Sequence, residues 1–175
     1  MDRFVSTFTN KLDAKGRVSI PAGFREVLAR DGYSGGSAGG PAAGGGIYCY
    51  PALDTPALDA GGESLARKID DLLKGLSDYS DERDQLSVAL YGDVHILKLD
   101  GEGRIVLPEE LRAHAKLESE VTFVGLGQKF QIWQPGAFDA FRNEARERAR
   151  DHRRLFHAGR RPGGEDPQGG QGARE

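Results

Sequence analysis

One fifteen-residue segment occurs twice in this chain. KLDAKGRVSIPAGFR (Lys11 to Arg25) lies over KLDGEGRIVLPEELR (Lys98 to Arg112) at an offset of 87, and seven of the fifteen positions are identical. Random pairing would match about one, because each residue type fills only a few per cent of an average chain. Unlike positions keep their character: Val18 over Ile105, Ile20 over Leu107, Phe24 over Leu111. A repeat of this kind predicts two similar halves rather than one continuous architecture. The likeness continues weakly, with GIYCYP ending at Pro51 set against FQIWQP ending at Pro135.

Each copy reads as a β-rich unit. A strand (5–12; 93–99) runs into a tight turn, Asp13-Ala14-Lys15-Gly16 or Asp100-Gly101-Glu102-Gly103, and a second strand follows (17–20; 104–107). Aspartate opens a turn by bonding to its own backbone, and glycine supplies the positive φ that ends it, so Asp13, Gly16, Asp100 and Gly103 are read as structural. Pro21 and Pro108 start the short helices AGFREVLAR and EELRAHA, since proline is tolerated in a first turn. A hairpin holding Tyr48, or Ile132 and Trp133, closes each unit. The expected class is α+β, β-rich, with two tandem hairpin repeats and peripheral helices.

The remainder divides by composition. Residues 32–46 carry eight glycines and cannot bury enough apolar surface to offset their ordering entropy, which predicts a flexible loop. The compact GLGQK turn, 125–129, stands as its counterpart in the second copy. Leu65, Ile69, Leu72, Leu73 and Leu76 recur at helical spacing and predict one apolar face. A second helix is expected from about Asp81 to Leu90, capped by Ser80. Phe138, Phe141, Ala145, Ala149 and Phe156 form a stripe among arginines, and the Gly/Pro/Gln-rich end from Gly159 is expected to be disordered. The predicted organisation is a first repeat (1–58), a helical connector (59–91), a second repeat (92–141), an arginine-rich helix (142–158) and a tail (159–175).

Charge is segregated. The net charge is −3, yet between Arg142 and Arg161 eight arginines face three acids, a local +5, leaving about −8 elsewhere. Distribution matters more than the sum for a polyanionic partner. The single cysteine, Cys49, excludes an intramolecular disulfide and reads as a small buried apolar residue. The start lacks a basic segment followed by an apolar run, and no apolar stretch approaches ~18 residues, so neither a secretory signal nor a membrane span is expected. A cytoplasmic setting fits. His95, His114, His152 and His157 make no H-E-x-x-H pair, and the chain has no P-loop and no G-x-S-x-G; Gly125-Leu126-Gly127 lies between strands as a turn. No enzyme, cofactor, metal or small-molecule substrate is predicted.

Side chains alternate along a strand. With Val18 and Ile20 facing the core, Lys11, Arg17 and Ser19 point outward, and Lys98, Arg104 and Val106 do so in the second copy. Lys15 at the first turn's tip adds charge, whereas Glu102 at the second cancels it. The first copy is therefore expected to dominate contact with phosphate. A β-ribbon fits the DNA major groove, where one bidentate arginine–guanine contact gives about 1–3 kcal/mol of discrimination. Repetition would supply the rest through multivalency. Two compatible readings of Asp13 with Arg17, and of Asp100 with Arg104, stand: an ion pair holding the turn, and an aspartate orienting an arginine for DNA. Arg25 and Arg112 on the helices suit either a solvated role or DNA contact.

These two segments, LDAKGRVSIPAGFR and LDGEGRIVLPEELR, resemble the paired DxxxR repeats of the MraZ family, within the wider AbrB-like, swapped-hairpin group. The resemblance covers roughly residues 3 to 150. It implies a pseudo-twofold β-barrel built from both halves and a closed homo-oligomeric ring. It further implies a nucleoid-associated regulator that binds double-stranded DNA at upstream direct repeats and represses the division and cell-wall gene cluster, its own gene included. Carried onto this chain, it makes Arg17 and Arg104 the motif arginines, Asp13 and Asp100 the motif aspartates, and Lys15 the tip lysine. Lys11, Arg25 and Lys98 complete the expected DNA-binding set, and Arg3 sits where the family often has arginine. Phe4 stands where the family commonly has glycine. The rival reading is a non-catalytic oligomeric scaffold or antitoxin-like module acting through protein partners, with the arginine-rich helix serving a protein or RNA partner.

Overall fold

The structure is a computed structural model that describes residues 2–32 and 46–158. The glycine-rich stretch lies almost entirely outside these residues, as does the tail from 159. The first copy supplies β1 (Thr7–Lys11), β2 (Arg17–Ser19), α1 (Ala22–Arg30), β3 (Ile47–Pro51) and β4 (Leu58–Gly61). The connector holds α2 (Glu63–Lys74) and α3 (Asp81–Ser87), followed by a π-helical turn at Val88–Gly92. The second copy repeats the order with β5 (His95–Leu97), β6 (Arg104–Val106), α4 (Glu109–His114), β7 (Glu120–Gly125) and β8 (Phe130–Trp133), and α5 (Pro135–His152) and α6 (Leu155–Ala158) follow.

The strands flanking each motif turn are not partners, which corrects the local hairpin expected from sequence. β1 pairs antiparallel with β7, and β5 with β3, so each copy lends its first strand to the other. β2 pairs with β6 in a separate two-stranded ribbon. The six-stranded sheet runs β1-β7-β8-β4-β3-β5, an order that reads the same from either end once the copies are exchanged. The pairings thus have the twofold pattern of a swapped-hairpin fold, while β1 and β5 at the two edges leave the hydrogen-bonded sheet open. The topology also corrects the weaker half of the repeat alignment. β3 corresponds to β7 and β4 to β8, so 32–46 is matched by the short link between α4 and β7, and the turn at 125–129 by Ala52–Ala57.

Alternation along the strands builds one core between ribbon and sheet. Val18, Ile20, Ile105 and Leu107 from the ribbon segments join Phe24, Leu111, Phe123, Phe130 and Ile132 in a single buried cluster. Phe4 enters it too, with ring centroids 5.3 Å from Phe24 and 4.9 Å from Phe130, distances that suit aromatic pairs. Its backbone pairs with Gly127, and a side chain at Gly125 would meet that backbone at 2.5 Å. Cys49 is fully buried, as expected, and desolvation pushes its thiol pKa well up.

The connector helices follow the predicted pattern with one exception. Leu65, Ile69 and Leu73 pack with Tyr50, and Leu76 flanks them, but Leu72 is 62% exposed and off that face. The Ser80 hydroxyl accepts the Arg83 amide at 3.2 Å, the predicted N-cap. α3 ends at Ser87 rather than Leu90 because the π-turn takes over.

The chain divides into a first unit ending at Asp139 and a second beginning at Ala140. In the first, Phe138 is buried beside Trp133. In the second, the predicted apolar stripe is not buried: Phe141 is partly exposed, and Phe156, on the separate helix α6, is 88% exposed.

Candidate nucleic-acid interface

Both DxxxR turns are built by the same hydrogen bonds. Asp13 Oδ1 accepts the main-chain N–H of Lys15 at 2.9 Å and of Arg17 at 2.8 Å, while Oδ2 accepts Arg17 Nε at 2.6 Å. Asp100 Oδ1 accepts the N–H of Glu102 at 2.8 Å and of Arg104 at 2.9 Å, and Oδ2 accepts Arg104 Nε at 2.8 Å. One carboxylate therefore closes the turn and fixes the guanidinium. The Arg17 N–H, then the Arg17 guanidinium and the Lys15 N–H, hold the Asp13 carboxyl below its usual range. The Arg104 and Glu102 N–H groups, then the Arg104 guanidinium, do the same for Asp100.

Strand exchange then brings the two turns onto one surface. Arg17 lies opposite Val106 and Arg104 opposite Ser19, with Val18 and Ile105 paired between them. Val18 and Ile105 are buried, so the arginines share the outer face. They are diagonal neighbours, a relation that places two residues about 7–8 Å apart, within reach of long side chains. The Asp100 carboxylate, then Glu102, and then Asp13 from the other copy raise the Arg104 pKa, so the two turns sense each other across the ribbon.

The arginines are not equivalent. Arg104 also reaches Glu102 through Nη2 at 3.2 Å, whereas Arg17 is engaged at Nε and its terminal nitrogens meet no acid among the described residues. Lys15 is exposed at the first tip where Glu102 stands at the second. Lys11 and Lys98 are exposed as predicted, but Lys11 ends β1 and Lys98 directly follows β5, strands that belong to the large sheet and not to the ribbon.

The glycines carry a double constraint that only the exchange explains. Gly16 has φ +80° and Gly103 φ +75°, the left-handed region. A Cβ on Gly16 would meet the Leu107 carbonyl oxygen at 2.9 Å and Arg112 Nε at 3.2 Å, and one on Gly103 would meet Arg25 Nη1 at 2.5 Å. Each helix arginine lies over the other copy's glycine turn. The identity of Arg25 with Arg112 in the repeat was the available sign of this, whereas sequence reasoning offered only a solvated role or DNA contact for the two. Gly16 and Gly103 carbonyls also accept Leu107 N at 2.8 Å and Ile20 N at 3.0 Å, tying each turn to the far strand. Asn10 Nδ2, which sequence gave no reason to single out, donates to the Ser19 carbonyl at 2.7 Å and braces the ribbon from β1.

At the β4–β8 junction, Asp59 is buried and fully engaged, accepting Lys129 Nζ at 3.0 Å and Gln131 Nε2 at 2.8 Å. Gln131 Oε1 in turn accepts Trp133 Nε1 at 2.9 Å, so this polar group is structural. Among the described residues no group of acids, histidines and cysteine could hold a metal, and no helix is long and apolar enough to cross a membrane.

Known proteins resemble this chain over most of its length. The family profile described as "MraZ protein, putative antitoxin-like" matches residues 90–157. The chain is 56% identical over 154 residues to Transcriptional regulator MraZ of Beijerinckia indica subsp. indica, covering 88% of this chain and 87% of that one. It is 53% identical over 175 residues to Transcriptional regulator MraZ of Methylocella silvestris, covering 100% of both. Against Transcriptional regulator MraZ of Rickettsia felis it is 35% identical over 153 residues, 87% of this chain and 95% of that one. Identity of this extent runs through both copies of the unit, and the chain belongs to the MraZ family.

Proposed function

We propose that this protein is a transcriptional regulator, not an enzyme, that binds double-stranded DNA through the β2–β6 ribbon. The observation that carries the reading is the merging of two Asp-oriented arginines, Arg17 and Arg104, onto one exposed two-stranded ribbon. Such a ribbon matches the width of a major groove, and an arginine clamped at Nε still offers its terminal nitrogens to guanine or phosphate. Arg17 and Lys15 make the stronger end, with Lys11, Arg25, Lys98 and Arg104 adding charge around it. The relatives' shared name, transcriptional regulator, supports the same role.

In this reading the sheet and the ribbon enclose the core as a pseudo-twofold barrel, and several copies form a closed ring. One ribbon supplies too little discrimination for a regulator, and a ring lets several engage consecutive direct repeats at once. The targets are repeats upstream of the division and cell-wall gene cluster, with repression that includes the regulator's own gene, so the protein works in the cytoplasm at the nucleoid.

Sequencing of genomic fragments bound in cells tests this directly. Enrichment confined to one upstream region of direct repeats is the expected result. Its absence, together with purified protein whose DNA binding is indifferent to salt, would favour the protein-scaffold or antitoxin-like alternative, because phosphate contacts weaken steeply as salt rises.

A further inference from the structure

The second unit carries a charge pattern that the ribbon does not use. Six arginines and no lysine stand between Arg142 and Arg154, against Glu144, Glu147 and Asp151. Within α5, Arg142, Arg146 and Arg150 follow at intervals of four and fall on one side of the helix. Glu144, Glu147 and Asp151, at intervals of three and four, fall on another face, roughly 130° round the axis at 3.6 residues per turn. Arg148 lies with the acids and is spent on one of them, Nη2 to Glu144 Oε1 at 2.7 Å. These three acids centre on a different face from the row, although Glu147, three residues before Arg150, is a helical neighbour of it. Arg146 and Arg150 are exposed.

We infer that this arginine row is a second, sequence-independent contact for the nucleic-acid backbone, which adds affinity to the ribbon without adding specificity. The inference rests on the DNA-binding reading above and extends it to a separate element. Charge complementarity selects the occupant. The row is wholly guanidinium, whose planar fork pairs bidentately with phosphate. Its steps of four residues place successive charges about 6 Å apart along the helix at 1.5 Å per residue, a linear array suited to a polyanion. From Arg142 to Arg154 six arginines outnumber three acids, which makes the segment positive within a chain that is otherwise acidic.

The full-length double variant R146Q/R150Q tests it. Binding to a random-sequence duplex and to an enriched genomic fragment is followed by fluorescence anisotropy across a salt series. The slope of log affinity against log salt should fall by about 2, close to one unit for each lost phosphate contact. Affinity for both duplexes should drop by the same factor, leaving their ratio unchanged. R148Q, on the acidic face, should leave the slope as it was. An unchanged slope in R146Q/R150Q with normal binding by the unaltered protein overturns this inference alone. An equal slope change in R148Q overturns the assignment to one face. No salt-dependent binding by the unaltered protein overturns the DNA reading itself, and this inference with it.

Discussion

Val18 and Ile105 face each other at the centre of the β2–β6 ribbon, each only 1% exposed, and they are the same position of the repeated unit. The pair holds the ribbon to the core and sets the outer arginines on either side of it. Truncating one partner leaves a cavity at the point where both copies meet. Ile105→Ala should destabilise the protein by about 2–5 kcal/mol, the usual range for such a core deletion. Chemical denaturation reads this, and a cost below about 1 kcal/mol would mean that the ribbon is not anchored here.

The two turn glycines should differ in tolerance. Both have positive φ, so alanine is strained at either. At Gly16 the nearest obstacle is the Leu107 backbone, which cannot swing aside, whereas at Gly103 it is the Arg25 side chain, which can. Gly16→Ala is expected to lower stability more than Gly103→Ala. Adding Arg25→Ala should recover part of the Gly103→Ala loss and none of the Gly16→Ala loss. Thermal melts of the four variants decide it.

Arg17→Ala should remove specific DNA retention, weakening operator binding roughly tenfold to a hundredfold, the scale of one bidentate base contact, while the protein stays folded. Arg104→Ala should cost less, since Glu102 already occupies one of its terminal nitrogens. Glu102→Ala should strengthen binding by freeing that nitrogen and removing an acid. Gel-shift titrations rank the three, and a greater loss from Arg104→Ala would refute the asymmetry.

The aspartates make the turns resistant to acid. Both carboxyls are held below the ordinary value of 3.8, chiefly by the main-chain N–H of Arg17 and of Arg104. A depressed folded value means that their contribution to stability is complete above 3.8 and is lost as pH falls through the lower folded value. Carboxyl carbon shifts of Asp13 and Asp100, followed by NMR, should therefore titrate below 3.8. Asp13→Asn should remove that part of the acid dependence and loosen Arg17.

Much of this was legible in the sequence. The Asp, Gly and Arg identities located both turns, and alternation put Val18 inward and Arg17 outward, because each of these depends on neighbours a few residues apart. What stayed hidden is long-range. No local pattern says that β2 pairs with β6 rather than folding back on β1, or that Arg25 lies over Gly103 rather than in solvent. Leu72 matched the helical period of α2 yet stands off the face that Leu65, Ile69 and Leu73 bury, since a period identifies a stripe but not its edge. The weak match of GIYCYP to FQIWQP misled because any two strands of alternating apolar residues look alike, and only the pairing with β1 or β5 tells β7 from β8.

The exchange of first strands has a consequence for how the molecule is made. β1 leaves the ribosome well before its partner β7, which follows more than a hundred residues later, as the Thr9–Thr122 hydrogen bond across 113 positions shows. At about 5–20 residues per second that is a wait on the order of ten seconds. Through it, a strand with unmet backbone groups stands open to other nascent chains. Pairing over such separations is also intrinsically slow. Neither half can therefore complete its sheet in advance of the other, and a product cut short between the copies would be a fragment with nothing to close on.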